Sequence, residues 1–191
     1  GTGKTTLAQI IASRTESKFE RLSGVESNVA EMRRVLSGAA NRLENTGRPT
    51  LLFIDEIHRF NKSQQDVLLP DVEGGTIRLV GATTHNPFFF VNSPLVSRSQ
   101  IFELHPLNEE DILKLLKRAL VDKERGLGHL KMEVVAEAFQ HLASICDGDA
   151  RKALNSLEIA ALTTRPDKEG IIRVTMEVAE ECIQKKAVVY D

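Results

Sequence analysis

The stretch that most constrains the fold of this chain is TLLFIDE, at residues 50–56. Its large apolar residues follow one another without alternation, which is typical of a strand buried on both faces of a parallel sheet. A strand of this kind presents its last side chains at the carboxyl edge of the sheet, where open α/β folds bind their ligands. Asp55 and Glu56 at that edge are suited to hold Mg²⁺ and to deprotonate a water, respectively. Taken alone, the stretch is equally compatible with a strand that ends in an acidic turn.

The beginning of the chain resolves that ambiguity, because residues 1–6 read GTGKTT. This is the second half of the phosphate-loop pattern G-x-x-x-x-G-K-[ST], whose glycines let backbone N–H groups face phosphate oxygens. A helix that begins at Lys4 adds its positive end to the site. We expect Lys4 to reach the β- and γ-phosphates and Thr5 to ligate Mg²⁺. The two motifs together indicate a nucleoside triphosphatase.

Apolar spacing predicts the other elements of a parallel α/β core. A helix over residues 4–12 is expected to bury Leu7, Ile10 and Ile11. The other predicted elements are a short strand at 19–22, a helix at 29–43, a helix capped by Asn61 that carries Val67 to Leu69, a strand at 77–82 and a last strand at 101–104. The aromatic run at 88–90 is expected to pack under a loop, with a contact to a partner or a pore as the alternative.

Polar residues beyond the acidic strand are further candidates for catalysis. Thr83 and Thr84 end the next strand, where a hydroxyl can hydrogen-bond the attacking water or the γ-phosphate; a threonine chosen for β propensity is the alternative. Arg98 is either a surface charge or an arginine that a neighbouring subunit supplies to stabilise the transferring phosphoryl group. His58 lies two residues after Glu56, but no second metal ligand is near it in sequence, so no metal role is predicted.

The character of the sequence changes after Pro106, where four amphipathic helices are expected. Asn108 is predicted to cap the first of them, and the run DGD at 147–149 to cap the third. Arg151, in the first turn of the third helix, is either a surface charge or a cation that faces the γ-phosphate and reports the nucleotide state. The predicted organisation is an α/β core at residues 1–105 followed by a small all-helical lid domain at residues 106–191.

Composition bounds the other classes of function. The chain has 25 basic and 27 acidic residues, and no long basic block marks a nucleic-acid tail. This leaves open DNA contacts that are few or that are shared among subunits. Cys146 and Cys182 lack metal-ligand spacing and are expected to be buried thiols of a cytoplasmic protein. No apolar run approaches the length needed to cross a membrane.

Five motifs, taken in order, resemble those of an AAA+ ATPase of the clamp-loader clade. They are GTGKTT at 1–6, FIDE at 53–56, GATT at 81–84, SR at 97–98 and GDARKALN at 148–155. Within that clade, DEIHRFNKSQQD at 55–66 closely resembles the replication-associated recombination protein A family and its eukaryotic counterpart, the Werner helicase-interacting protein family. The resemblance covers essentially the whole chain.

The resemblance implies a role for each matching position and a function for the family. The positions are Gly1, Thr2, Gly3, Lys4, Thr5 and Thr6 for the phosphate loop, Asp55 for the metal-binding acid, Glu56 for the catalytic base, Thr84 for the strand-end sensor, Arg98 for an arginine finger acting in trans and Arg151 for the lid sensor. The implied activity is DNA-stimulated hydrolysis of ATP with Mg²⁺ at stalled or gapped replication forks. The implied partners are single-strand/double-strand DNA junctions, single-strand DNA-binding protein and further copies of the chain in a homotetramer. Bacterial members of the family are expected in the cytoplasm, associated with the nucleoid, and eukaryotic ones in the nucleus.

The sequence also departs from the family's pattern. His85 stands where the family has Glu, the aromatic run at 88–90 replaces a more polar stretch, and Gln100 stands where a second Arg often sits. The chain is expected to be a fragment that lacks the strand before the phosphate loop and the C-terminal oligomerisation domain. Two other functions stay open: a clamp-loader or Holliday-junction motor subunit, and a nucleotide-sensing scaffold that binds ATP without turnover.

Overall fold

The computed structural model describes residues 2–188 of the chain, with side chains described to residue 182. The chain divides into two compact units: Gly3–Glu103, and Leu104–Asp191 grouped with Gly1–Thr2. The first unit is a parallel sheet flanked by helices, and the second is built mainly from helices. The predicted α/β class is therefore confirmed.

Three parallel strands form the sheet of the first unit. In chain order this unit contains α1 (Lys4–Arg14), β1 (Lys18–Ser23), α2 (Val29–Thr46), β2 (Thr50–Asp55), α3 (Lys62–Asp66), α4 (Leu69–Glu73), β3 (Ile77–Gly81), α5 (Pro87–Phe90) and α6 (Ser93–Ser97). The strands lie in the order β1-β2-β3, so β2 is the central one. Residues 51–54 of β2 are at most 1% exposed, which confirms the predicted strand buried on both faces.

The two faces of β2 pack against different helices. Leu52 and Ile54 belong to the apolar cluster that α2 covers, whereas Leu51 and Phe53 belong to the cluster that α1 covers. A short turn joins α1 to β1, so the helix runs antiparallel to the strands that it covers. The first turn of α1 therefore lies at the carboxyl edge of the sheet.

Helix α1 packs on the sheet through small side chains. Its buried residues are Ala8 and Ala12, whereas Leu7, Ile10 and Ile11 are between 38% and 51% exposed. The predicted apolar stripe of this helix is wrong. Two alanines four positions apart share one face, and their small size lets the helix backbone approach β2 closely, which turns the larger side chains away from the sheet.

Two short helices replace the single helix predicted after Asn61. The Asn61 side chain caps α3 as expected: it accepts a hydrogen bond from the Gln64 N–H, and the Gln64 side chain accepts one from the Asn61 N–H. However, α3 ends at Asp66 and α4 begins at Leu69. A continuous helix would need an N–H at Pro70 to donate to the Asp66 carbonyl, and proline has none.

Two apolar runs near the end of the first unit lie outside the core. Residues 101–104 were predicted as a strand, but they form no ladder with the described sheets and are exposed. An apolar run becomes a strand only beside a sheet edge with which it can exchange hydrogen bonds. Phe88 and Phe89 are largely exposed, so the prediction that the aromatic run packs under a loop is also wrong. Consecutive residues of α5 point about 100° apart and cannot share one buried side.

The second unit is helical, as predicted, and contains one small sheet. Its elements are α7 (Glu109–Val121), β4 (Met132–Val134), α8 (Ala136–Ser144), α9 (Ala150–Thr163), β5 (Ile172–Val174) and α10 (Met176–Val188). The parallel pair β4-β5 corrects the expectation of an all-helical unit, since strands of three residues are too short to show a period in the sequence. Cys146 and Cys182 are buried, as expected. No helix within residues 2–188 combines the length and apolar character that crossing a bilayer requires.

Candidate active site

The chain turns sharply at Glu56, directly after β2. Glu56 has a φ of 51°, in the left-handed region that residues other than glycine seldom occupy. Two backbone hydrogen bonds enforce the turn: the Ala82 N–H donates to the Ile54 carbonyl at 2.8 Å, and the Ile57 N–H donates to the Ala82 carbonyl at 3.0 Å. These bonds tie the residues after β2 to the residues after β3. Glu56 therefore lies beside the end of β3 at the carboxyl edge of the sheet.

The loop after β1 approaches the same turn closely. The Gly24 N–H donates to the Asp55 carbonyl oxygen at 2.8 Å. A Cβ on Gly24 would lie 2.2 Å from the carbonyl oxygen of Glu56. No side chain fits at this position unless the backbone that carries the two acids moves.

Replacing Gly24 with alanine should therefore destabilise the first unit by about 1–3 kcal/mol, the usual cost of adding a methyl group where no space exists. Gly38→Ala is the matched control. A Cβ at Gly38 meets nothing within 4 Å, and alanine inside α2 should stabilise the unit by about 0.5–1 kcal/mol. Urea denaturation of both variants beside the parent chain measures the two changes in the free energy of unfolding. Equal stability of Gly24→Ala and the parent would contradict the close approach.

Thr84 lies within hydrogen-bond distance of the Glu56 carboxylate. Its hydroxyl donates to Oε2 of Glu56 at 3.3 Å. The other candidate, Thr83, faces His58 instead, with Oγ1 and Nδ1 2.9 Å apart. Of the two threonines considered from the sequence, the structure thus brings Thr84 to the carboxylate.

Two histidines complete this cluster. Nδ1 of His58 lies 3.2 Å from Oε2 of Glu56, and the His58 side chain is only 6% exposed. The His85 ring lies against it with centroids 4.1 Å apart, and the Phe90 ring lies 4.9 Å from His85. Burial lowers the pKa of His58, and His85 lowers it further, while Glu56 acts in the opposite direction. The net effect lowers the pKa of His58 and so favours its neutral form.

Sequence reasoning assigned no function to either histidine. It considered His58 only as a metal ligand and His85 only as a loop residue that departs from the family's pattern. The sequence feature that could have identified His58 is its position two residues after Glu56, an acid at the carboxyl edge of the sheet. A chain that turns sharply at Glu56 brings that histidine back toward the carboxylate.

Asp55 and the first turn of α1 offer the oxygen ligands predicted for Mg²⁺. Asp55 ends β2, and its Oδ2 accepts a hydrogen bond from Arg21 at 3.0 Å. Mg²⁺ in nucleotide sites is held by one or two protein oxygens and by phosphates, rather than by a cage of protein side chains. The described residues contain no group of three or more His, Cys, Asp or Glu that could hold a metal. The oxygen chemistry of Asp55 and Thr5 fits Mg²⁺.

The phosphate-loop residues lie at the start of α1. Gly3 has a φ of 85°, which glycine adopts without strain, and it is the N-cap of the helix. The first turn of the helix consists of Lys4 and Thr5, which are partly buried, and Thr6, which is exposed. Thr2 lies in irregular backbone, and Gly1 lies outside the described residues.

Among the described residues, neither Arg98 nor Arg151 forms a recorded hydrogen bond or ion pair with Glu56. Arg98 follows the last residue of α6 and forms an ion pair with Glu73 of α4 at 2.7 Å. Both side chains of this pair are nearly half exposed, so the Arg98 guanidinium is accessible from solvent. Arg151 is an exposed residue in the first turn of α9, in the second unit.

Comparison with known proteins gives two family matches. The family described as "ATPase family associated with various cellular activities (AAA)" matches residues 1–107. The family described as "AAA C-terminal domain" matches residues 128–191. The first match covers more than half of the chain.

Individual relatives agree with these matches. Replication-associated recombination protein A of Bacillus subtilis (strain 168) is 44% identical over all 191 residues, and ATPase WRNIP1 of Dictyostelium discoideum is 40% identical. The chain spans 44% of the length of the first protein and 23% of the second. Among solved structures, the Thermotoga maritima RuvB Holliday junction branch migration motor superposes with a TM-score of 0.73 at 28% identity, covering 96% of this chain and 58% of that one. The resemblance predicted from the motifs is confirmed.

Proposed function

The chain belongs to the AAA family of ATPases, and from that membership we propose that it is the ATP-hydrolysing part of a DNA-dependent ATPase that acts at stalled or gapped replication forks. The main support for ATP hydrolysis is the hydrogen bond between Thr84 and Glu56, at the edge of the sheet where α1 begins. The replication part rests on the 44% identity with a Bacillus subtilis protein whose name states replication-associated recombination.

In the proposed mechanism, ATP binds with its phosphates against the first turn of α1. The backbone N–H groups there and the Lys4 side chain hold the β- and γ-phosphates. Asp55 and Thr5 would hold Mg²⁺, which neutralises phosphate charge when it is bound. Glu56 accepts a proton from the attacking water, while Thr84 couples the position of the γ-phosphate to this carboxylate. The loop residues that complete the phosphate site are Gly1, Thr2, Gly3 and Thr6.

The two arginines are proposed to complete the site from outside the Glu56 cluster. Arg98 reaches the γ-phosphate of a neighbouring subunit, where it stabilises the charge of the transition state. Its solvent exposure in the single chain supports this role. Arg151 of the second unit reports the nucleotide state. A site shared in this way requires assembly, and a homotetramer is the proposed form.

The proposed partners are DNA with single-strand/double-strand junctions and a single-strand DNA-binding protein, in the cytoplasm of a bacterial cell. A Holliday-junction motor is the second candidate, because RuvB superposes on most of this chain. The 28% identity with RuvB is well below the 44% identity with the Bacillus subtilis protein, which favours the fork function.

Steady-state ATP hydrolysis by the full-length protein, with DNA of defined structure, tests this proposal. We expect gapped or forked DNA to stimulate turnover more than intact duplex or a four-way junction does, because the fork function requires recognition of single-strand/double-strand junctions. Strongest stimulation by the four-way junction would favour the second candidate. Turnover that is indifferent to every DNA would contradict a DNA-dependent function of either kind.

A further inference from the structure

Two side chains lie close to the same oxygen of the Glu56 carboxylate. Oε2 lies 3.3 Å from Oγ1 of Thr84 and 3.2 Å from Nδ1 of His58. An ionised carboxylate can only accept hydrogen bonds, so Thr84 donates to Oε2. A stabilising contact of His58 with the same oxygen requires the ring proton to be on Nδ1.

The surroundings of Thr83 are compatible with this tautomer. Oγ1 of Thr83 accepts a hydrogen bond from the His85 N–H at 3.0 Å, and its own proton can go to the His85 carbonyl oxygen at 3.4 Å. Its other lone pair then faces Nδ1 of His58 at 2.9 Å. Two oxygens therefore flank Nδ1 of His58, those of Thr83 and Glu56. In the tautomer with its proton on Nδ1, the ring can donate to either of them.

Packing holds the His58 ring in this orientation. The rings of His85 and Phe90 lie 4.1 Å and 6.2 Å from it, centroid to centroid. Phe90 is itself anchored, because its carbonyl accepts a hydrogen bond from the buried Gln65 side chain at 2.9 Å. The low exposure of His58 leaves its ring little room to turn.

We propose that His58 is a positioning residue for the catalytic base: its Nδ1–H, held in place by Thr83 and His85, fixes the Glu56 carboxylate so that Oε1 accepts the proton of the attacking water. The inference rests on the proposed catalytic function of Glu56. It also gives a structural role to His85, which stands where the family has Glu, because the His85 ring packs directly on His58. Because His58 acts through Glu56, its loss should lower kcat and leave KM for ATP unchanged.

Three substitutions separate the hydrogen-bond donor from the ring. His58→Leu keeps an apolar side chain and removes the donor. His58→Asn places its amide N–H where Nδ1–H lies, whereas His58→Gln places it one bond further along the side chain. We expect His58→Leu and His58→Gln to lower kcat about 10- to 100-fold, the range that a misplaced group can cost, and His58→Asn to retain kcat within about threefold of the parent. Steady-state ATP hydrolysis by the full-length protein measures kcat and KM.

Control variants show whether His58 acts through Glu56. His129→Leu removes an exposed histidine of the second unit and should leave kcat unchanged. Glu56→Gln is measured in parallel, together with the His58→Leu/Glu56→Gln double variant. The double variant should be no slower than Glu56→Gln alone, because residues that act as one unit are not additive. Thermal denaturation of each variant separates loss of folding from loss of turnover, and the Asn–Gln pair keeps the test valid if His58→Leu does not fold.

The outcomes test two separate claims, the positioning function of His58 and the catalytic function of Glu56. A normal kcat for His58→Leu, or equal losses for His58→Asn and His58→Leu, would overturn the positioning function of the Nδ1–H while Glu56 keeps its own. A further loss in the double variant would overturn it as well, because His58 would then act on something other than Glu56. A normal kcat for Glu56→Gln would instead overturn the proposed hydrolytic mechanism.

Discussion

Replacing Glu56 with glutamine should lower the ATP turnover number at least about 100-fold, the lower end of what a general base contributes. Glutamine has nearly the same shape and keeps an oxygen that can accept from Thr84, so the turn after β2 is preserved. It cannot take a proton from water at neutral pH. The affinity for ATP should stay within about twofold of the parent, because Glu56 acts on the attacking water and not on ground-state binding. Steady-state hydrolysis and nucleotide titration of the full-length protein measure the two quantities.

The matched control is Glu44→Gln, which removes an exposed acid from α2 and should leave turnover unchanged. A Glu56→Gln protein that hydrolyses ATP at the parent's rate would exclude Glu56 as the base. The alternative of a nucleotide-sensing scaffold predicts a third result: the parent itself binds ATP without turnover, and the substitution changes neither binding nor function. The three results are distinct, so one pair of assays separates a catalytic base, a different base and a scaffold.

The features that could be predicted from the sequence have local physical causes. The unbroken apolar run of β2 marks a strand buried on both faces, wherever its neighbours come from. Asn61, Asn108 and the run at 147–149 were predicted as helix caps. The side chains of Asn61, Asn108 and Asp149 each accept a hydrogen bond from the N–H three residues later. A cap involves one turn of chain, so its sequence contains all the information that it needs.

The features that could not be predicted depend on which neighbouring element packs against the residues concerned. Leu7, Ile10 and Ile11 form the more apolar face of α1, yet the helix buries Ala8 and Ala12 because β2 is close enough to exclude larger side chains. The run at 101–104 has the composition of a strand, but a strand requires a partner edge. In both cases hydrophobicity alone was the wrong guide, since the neighbour decides which residues are buried.

The His58 cluster arises from strand register, which the sequence does not display. Ile54 of β2 pairs with Gly81 of β3, so the residues after the two strands lie side by side. This register brings Thr84 to Glu56 and Thr83 to His58. A shift of one residue would exchange the sides on which the two threonines point. A sequence pattern could therefore indicate that a hydroxyl ends β3, but not which histidine it would contact.

Replacing Arg98 with alanine should lower ATP turnover about 1000-fold in the assembled protein, the lower end of the effect of an arginine finger. The reason is electrostatic, since the guanidinium is proposed to stabilise charge on the phosphoryl group of a neighbouring subunit. In the single chain Arg98 pairs with Glu73 on the surface, and loss of such a pair costs at most about 1 kcal/mol, so the variant should fold. Arg34→Ala, which removes a comparable surface pair with Glu31 at 3.9 Å, is the matched control and should keep normal turnover.

Mixing two inactive variants distinguishes a finger supplied by a neighbour from one that acts within its own subunit. An Arg98→Ala subunit keeps Glu56, and a Glu56→Gln subunit keeps Arg98, so neither protein alone has a complete site. With random assembly from equal amounts, about a quarter of the sites combine Glu56 of one subunit with Arg98 of the next, and turnover should return toward that fraction of the parent's rate. If Arg98 acted on the site of its own subunit, no mixed assembly would contain a complete site. Two variants that exchange subunits and stay inactive together would therefore contradict the assignment of Arg98 to a neighbouring site.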